Sequence, residues 1–527
     1  MPASDRAVLL RPVLQISIWV FCLLTSSASL FADDVLEGAI SQVTNQSRFK
    51  HAHWGALFID RESGEVIFSH ADEKLFAPAS TTKLFSVACA LDTFGADHRF
   101  MTPVVRRGEV SRGGELSGDL ILVASGDLSF DGRTLPDGKI AFQDADHTYA
   151  NGNPDATLTD TDPLSGLNEL AQQVFAAGIR HVRGEVLIDD RLFEHAESSG
   201  SGPSKVTPIL INDNVIDFVT APTELTQPAK VVCRPPSLGI QVESQVKTVA
   251  EDQPLQIVVH DYGHGRFSVR GQIPLNHKPV LRIHEVNNPN TFARTLFIEC
   301  LRRKGVEVDA NSLQENPAAI LPTVAEIKEL PQVAVLRSAT FAESAKLILK
   351  VSHNLHASTL PLLVASQHGE RTLAQGLKRQ HDFLQRAGVD VQTISFSSAA
   401  GGGRGDFMTP KAAVQLLRYM TDRPDFDVYL NALPILGIDG TLAKNVPAES
   451  PARGKVRAKT GTFYWENSMN GTALMTCKSL AGYMSTANNR QLIFAIFVNN
   501  AHLGDGITTK TFGDDLGKIC ELVYLAK

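Results

Sequence analysis

Cysteine is scarce in this chain and scattered where it occurs. There are six among 527 residues, none in a Cys-x-x-Cys pair, so the spacing of a zinc site is missing and no metal is expected. Cys22 falls in an N-terminal apolar run. The other five, Cys89, Cys233, Cys300, Cys477 and Cys520, are an odd number and cannot all pair. All but Cys233 stand in apolar patterns that suit small core residues. An excess of one charge is lacking too: the formal net charge is -7, which offers no polybasic footprint for nucleic acid. After the N-terminal run no segment is long and apolar enough to cross a bilayer. Internal repeats and low-complexity tracts are absent. What is present is ordinary: 43% hydrophobic and 20% charged residues fit a globular protein. A chain of this length exceeds one ordinary domain, so about two or three are expected.

The N-terminus reads as an export signal. Arg6 and Arg11 precede an apolar run from Val13 to Leu24, followed by small residues up to Ala32 and a pair of aspartates. Residues 1–32 are assigned to the signal, with cleavage after Ala28 or Ala32; the other reading is an uncleaved anchor, for which the run is short. The mature chain is expected outside the cytoplasm, in the periplasm or cell envelope.

His53 to His70 has the pattern of a hairpin turning at Arg61-Glu62-Ser63-Gly64. Helical patterns follow at Leu164 to Ala177, Thr291 to Lys304, Thr340 to Ser358, Thr372 to Ala387 and Pro410 to Thr421. Between Val206 and Arg282 the pattern is β-like. The end is β-rich, with a hairpin at Asn488-Asn489 and a closing helix from about Lys510 to Leu525. This organisation predicts an inserted unit at 105–286 between two parts of one domain, 33–104 and 287–527.

The chemistry begins at Pro78-Ala79-Ser80-Thr81-Thr82-Lys83, which opens a small and apolar run with no breaker before Gly95. A helix would put Ser80 and Lys83, three apart, on one face. Ser80 in the first turn would sit among unpaired N–H groups. Lys83, buried by the apolar residues after it, would be pushed toward its neutral, basic form. The bland alternative is a capped core helix with an incidental lysine; Ser244-Gln245-Val246-Lys247 repeats the spacing without helical context. Two further motifs follow in order, Ser352-His353-Asn354 and Lys459-Thr460-Gly461-Thr462. Acyl transfer from an amide needs a nucleophile, a base, a relay to the leaving amine and an oxyanion hole. Ser80, Lys83 and Ser352 can supply the first three. Asn354 can hold Lys83 and the substrate amide. Lys459, Thr460 and Thr462 can bind a terminal carboxylate, Gly461 lets a ligand lie close to the strand, and the N–H groups of Ser80 and Thr462 can hold the oxyanion.

The set resembles that of penicillin-binding proteins and class A β-lactamases. Leu75 to Lys83, Gly118 to Leu122, Gly126-Asp127, Gly184 to Asp190, Asn212-Asp213-Asn214, Gly437 to Leu442 and Ser479 to Tyr483 carry a closer resemblance. They are similar to the D-alanyl-D-alanine carboxypeptidase/endopeptidase family of low-molecular-mass class C penicillin-binding proteins, from about Gly55 to near the C-terminus. That resemblance implies an α/β (α+β) fold of the transpeptidase type: an antiparallel sheet flanked by helices, split by a large mixed β-rich insertion. It implies a serine-type carboxypeptidase, with D,D-endopeptidase activity left open. Peptidoglycan stem peptides are the implied substrate and β-lactams the implied acylating inhibitors, with no cofactor. Peripheral association with membrane or wall stays open. Two departures stand out. The middle residue of Ser-x-Asn is His353, which either faces away from the site or adds a titrating group to it. The loop Ser397 to Asp406 replaces the Asp-Gly-Ser-Gly-Leu-Ser of the family. The other readings are a related exported hydrolase (β-lactamase, esterase or D-amino-acid peptidase) and a non-catalytic peptidoglycan-binding protein.

Overall fold

The computed structural model describes residues 35–130, 132–504 and 506–527; the expected export signal lies outside them. An antiparallel sheet is built from both ends of the chain. Its order is Val456–Asn467, Thr472–Ser485, Gln491–Asn499, His53–Asp60 and Val66–His70, with Ala501–Leu503 also paired to the second of these. The early hairpin forms as expected, and Asn489 turns the late one with φ +62°, a conformation asparagine tolerates. Gln491–Asn499 is buried nearly end to end, as a central strand covered on both faces must be.

One face carries the helix Lys83–Phe94, enclosed by Phe341–Lys350, Asn354–Gln367, Leu373–Arg386 and Pro410–Thr421. Lys83 to Leu91 are buried without interruption, so this helix is surrounded by protein rather than amphipathic. Gly95 ends it with φ +78°. The opposite face is covered by Thr509–Ala526 and by residues 35–44.

A second mixed sheet has the order Glu307–Val308, His181–Val182, Glu115–Val123, Met101–Val110 and Gln332–Arg337, with Val186–Asp189 beside the third. Helices Ser165–Ala176 and Pro289–Arg303 pack on it. Two three-stranded sheets from residues 215–285 share a further core.

Two expectations need correction. The boundary drawn at 286 falls early: Ala293, Leu296, Phe297 and Cys300 cover the second sheet, not the first, and 332–337 is hydrogen-bonded into it. The other boundary, at 104, cuts the strand Met101–Val110. An apolar stripe reveals that a helix covers a sheet, not which sheet it covers. The helix read over Thr340 to Ser358 is two, Phe341–Lys350 and Asn354–Gln367. They are separated at Ser352, whose φ is +65°. The five described cysteines are free.

Candidate active site

The break between those two helices faces the N-terminus of the Lys83 helix. Residues Ala79–Thr82 form a tight 3-10 turn ahead of it, and Ala79 itself has φ +47°. Ala79, beside one motif serine, and Ser352, the other, thus hold backbone conformations that cost non-glycine residues energy. Ser80, Ser352, Asn354, Thr460 and Thr462 line one cleft of about 750 Å³.

Lys83 is fully buried. Its Nζ lies 2.8 Å from Ser80 Oγ, 2.7 Å from Asn354 Oδ1 and 2.8 Å from the Ala400 carbonyl oxygen. The Asn354 amide is oriented by its other end, since Nδ2 donates to the Ser201 carbonyl at 2.8 Å. Asn354 Oδ1 and Ala400 O can only accept. A neutral amine gives them its two N–H groups and has one lone pair left, aimed at the Ser80 hydroxyl. Burial, and next the cation of Lys459, hold Lys83 well below the usual lysine range. Both causes favour that neutral form.

Lys459 is also fully buried. Its Nζ donates to Ser352 Oγ at 2.9 Å and to the Thr460 carbonyl at 2.7 Å. Burial and the neighbouring Lys478 lower it to about 7. The strand Val456–Asn467 is the sheet edge. Pro434 and Leu436 cover its start, accepting from Ala458 N and donating to Val456 O. Thr460 Oγ1 donates to Thr441 Oγ1 at 2.7 Å. A Cβ on Gly461 would lie 2.1 Å from Ser479 Oγ and 2.4 Å from the Pro78 carbonyl. Only glycine lets the strand approach the serine turn this closely.

The loop that departs from the family pattern contributes directly. Asp406 ties it into a knot, accepting from the N–H groups of Ser397, Ser398 and Gly403. The knot presents Ala399 O to Ser86 Oγ at 2.6 Å and Ala400 O to Lys83.

His353 faces away from the cleft. Its ring is completely buried and stacks on His356 at 3.8 Å between centroids. Behind the turn it meets a buried cluster. Arg133 donates to Asp146 and Asp213 at 2.7 and 2.6 Å. His147 bridges Asp217 and Asp213 at 2.7 and 2.9 Å. His356 Nε2 lies 2.7 Å from Asp213 Oδ1, and His353 Nε2 lies 3.1 Å from it. Burial opposes the charge on Asp213, but Arg133, His353 and His356 outweigh it and hold the carboxyl well below its usual range. Burial likewise lowers His147, and Asp217 and Asp146 outweigh it, raising the ring to about 10. Asp213, His353 and His356 have metal-ligand spacing. The tautomer argues against that use: His353 Nδ1 accepts from the His356 N–H at 3.3 Å, so the neutral ring keeps its proton on Nε2.

Sequence reasoning missed Ala400, Ser201, Tyr149 and Lys478. The first two act through backbone carbonyls, which no side-chain motif reveals. Tyr149 donates its hydroxyl to the Ser352 carbonyl from a segment that carries none of the motifs. Lys478 donates to Thr462 Oγ1 at 2.9 Å; its one signal was a charge in an otherwise apolar strand.

A family model described as D-Ala-D-Ala carboxypeptidase 3 (S13) matches residues 36–516. The chain belongs to this family. As a member it is a serine-type D-Ala-D-Ala carboxypeptidase. It is 26% identical over 498 residues to a D-alanyl-D-alanine carboxypeptidase of Actinomadura sp. (strain R39), covering 90% of this chain and 80% of that protein. It is 25% identical over 457 residues to the D-alanyl-D-alanine carboxypeptidase DacB of Haemophilus influenzae, covering 84% of each. The crystal structure of penicillin binding protein 4 (dacB) from H. influenzae superposes with a TM-score of 0.65 at 21% identity, over 91% of this chain and 98% of that one. That likeness establishes the S13 fold expected from the motifs.

Proposed function

We propose that Ser80 is the nucleophile of this carboxypeptidase and that it acts on peptidoglycan stem peptides ending in D-Ala-D-Ala. Neutral Lys83 takes the Ser80 proton as Oγ attacks the penultimate carbonyl. Ser352, held by Lys459, passes a proton to the departing D-alanine nitrogen. Water then hydrolyses the acyl-enzyme by the reverse route. Asn354 orients Lys83 and the substrate amide. Lys459, Thr460 and Thr462 hold the terminal carboxylate against the strand that Gly461 lets come close, and the N–H groups of Ser80 and Thr462 receive the oxyanion. The observation that carries this reading is the set of three contacts to Lys83 Nζ, two of them with groups that can only accept. On the same reading, β-lactams acylate Ser80, D,D-cross-links are also cleaved, and residues 1–32 send the protein to the periplasm or cell envelope. The catalytic domain is then split around an insertion running from about 101 to 338.

The test is Ser80→Ala. Labelling by a fluorescent penicillin should vanish while the circular dichroism spectrum is kept; surviving label rejects Ser80. Mass spectrometry of muropeptides incubated with the unaltered protein should reveal loss of one D-alanine. Conversion of dimers to monomers in the same digest reads the endopeptidase activity.

A further inference from the structure

The cleft contains one more cation than the proposed chemistry uses. Lys478 lies on Thr472–Ser485, directly across from Thr462 in the ladder, and lines the same cleft as Ser80 and Thr462. It is 8% exposed. Among the described residues no carboxylate lies within ion-pair distance of its Nζ. Cys477 beside it and Asp514 on the last helix are the groups that favour its charge, and burial, the larger influence, lowers it to about 8. Lys459, on the neighbouring strand, likewise has no acidic partner at that distance among the described residues. A buried cation without a partner is costly unless something else supplies the opposite charge. A cleft with such a cation in its wall, and a second buried behind it against Ser352, can take an anion.

We propose that Lys478 is a substrate-binding residue, a second ammonium that receives the ligand's carboxylate beside Thr462 and makes the site select acids over their neutral derivatives. The inference rests on the carboxypeptidase reading above and adds a residue to it. The geometry gives Lys478 two effects. Its N–H occupies a lone pair of Thr462 Oγ1, so the threonine proton is free to be donated into the cleft. Its charge sits beside Thr462, so the cleft keeps an anion-binding group there while Lys459 donates to Ser352.

Calorimetry tests this on the Ser80→Ala protein, which cannot turn ligand over, with benzylpenicillin and its methyl ester as probes. The acid should bind at least about tenfold more tightly than the ester. Adding Lys478→Met should weaken the acid by roughly tenfold or more and the ester by less than about twofold. Lys478→Arg should restore most of the preference. Melting temperatures identify any variant that has lost its fold, and Lys478→Gln then replaces Lys478→Met. An acid-to-ester ratio unchanged by removing the charge overturns the proposal. So does equal weakening of both probes, which makes Lys478 a prop for Thr462. Failure of the Ser80 assignment appears separately, as covalent label on Ser80→Ala.

Discussion

Two buried charge clusters lie back to back across the Ser352-His353-Asn354 turn, and they are built on opposite principles. In front, Lys83, Lys459 and Lys478 are buried with no acidic partner at ion-pair distance among the described residues, and each is pushed toward its neutral form. Behind, Arg133 and His147 are interleaved with Asp146, Asp213 and Asp217, and His147 and Asp213 are pushed toward their charged forms. The same depth of burial therefore has two outcomes. Unmatched charge leaves protons loosely held and available to chemistry. Matched charge fixes geometry. One turn faces both, because successive residues point to opposite sides.

Breaking the front should show first in rate. On the proposed mechanism Lys83→Met removes the base for Ser80, and penicillin acylation should fall about 10²–10⁴-fold with the fold kept, as stopped-flow labelling beside circular dichroism would measure. A rate within tenfold of the original would assign the base elsewhere. Breaking the back should show first in stability. Asp213→Ala takes one of the carboxylate partners from each of Arg133 and His147 and should cost about 3–5 kcal/mol in urea unfolding. Its effect on acylation should be smaller than that of Lys83→Met; the reverse order would erase the distinction between the clusters.

The smallest effect is the sharpest discriminator. Lys459 sits at about 7 against an ordinary 10.5, so between those values the unfolded chain binds more protons and stability rises with pH. His147 sits at about 10 against an ordinary 6.5. Its stabilisation is complete below the lower value and is lost as pH rises through the higher. Relative to the unaltered protein, Lys459→Met should therefore gain most below about pH 7, with the gain fading toward pH 10. His147→Gln should lose most near pH 6, with the loss fading in the same direction. Melting curves at about pH 6, 8 and 10 measure both, and differences of the same sign would refute the contrast.

The front cluster was largely legible in the sequence and the back one was not. Ser80 and Lys83 sit one turn apart, and Lys459 to Thr462 lie on one strand, so local spacing carries them. Asp213 and His353 are far apart in the chain and meet only in the folded state. Asn212-Asp213-Asn214 was marked by resemblance alone, and its placement, with φ near +50° at all three residues, has no periodic signature. The break at Ser352 was invisible for a related reason. Residues 340–358 have unbroken helical periodicity, and tertiary contacts overrule it: the Tyr149 hydroxyl on the Ser352 carbonyl and the Asn354 amide on Ser201. The altered loop was noticed, but as a departure from the family pattern rather than as the source of a carbonyl for Lys83.

The order of strands in the first sheet has a consequence for synthesis. His53–Asp60 leaves the ribosome early, yet one of its two neighbours is Gln491–Asn499, among the last strands made. Everything between must emerge before the two ends can join, so the Lys83 helix waits without its supporting layer while the middle of the chain folds. A nascent chain stopped short of residue 491 would carry every motif and no working site.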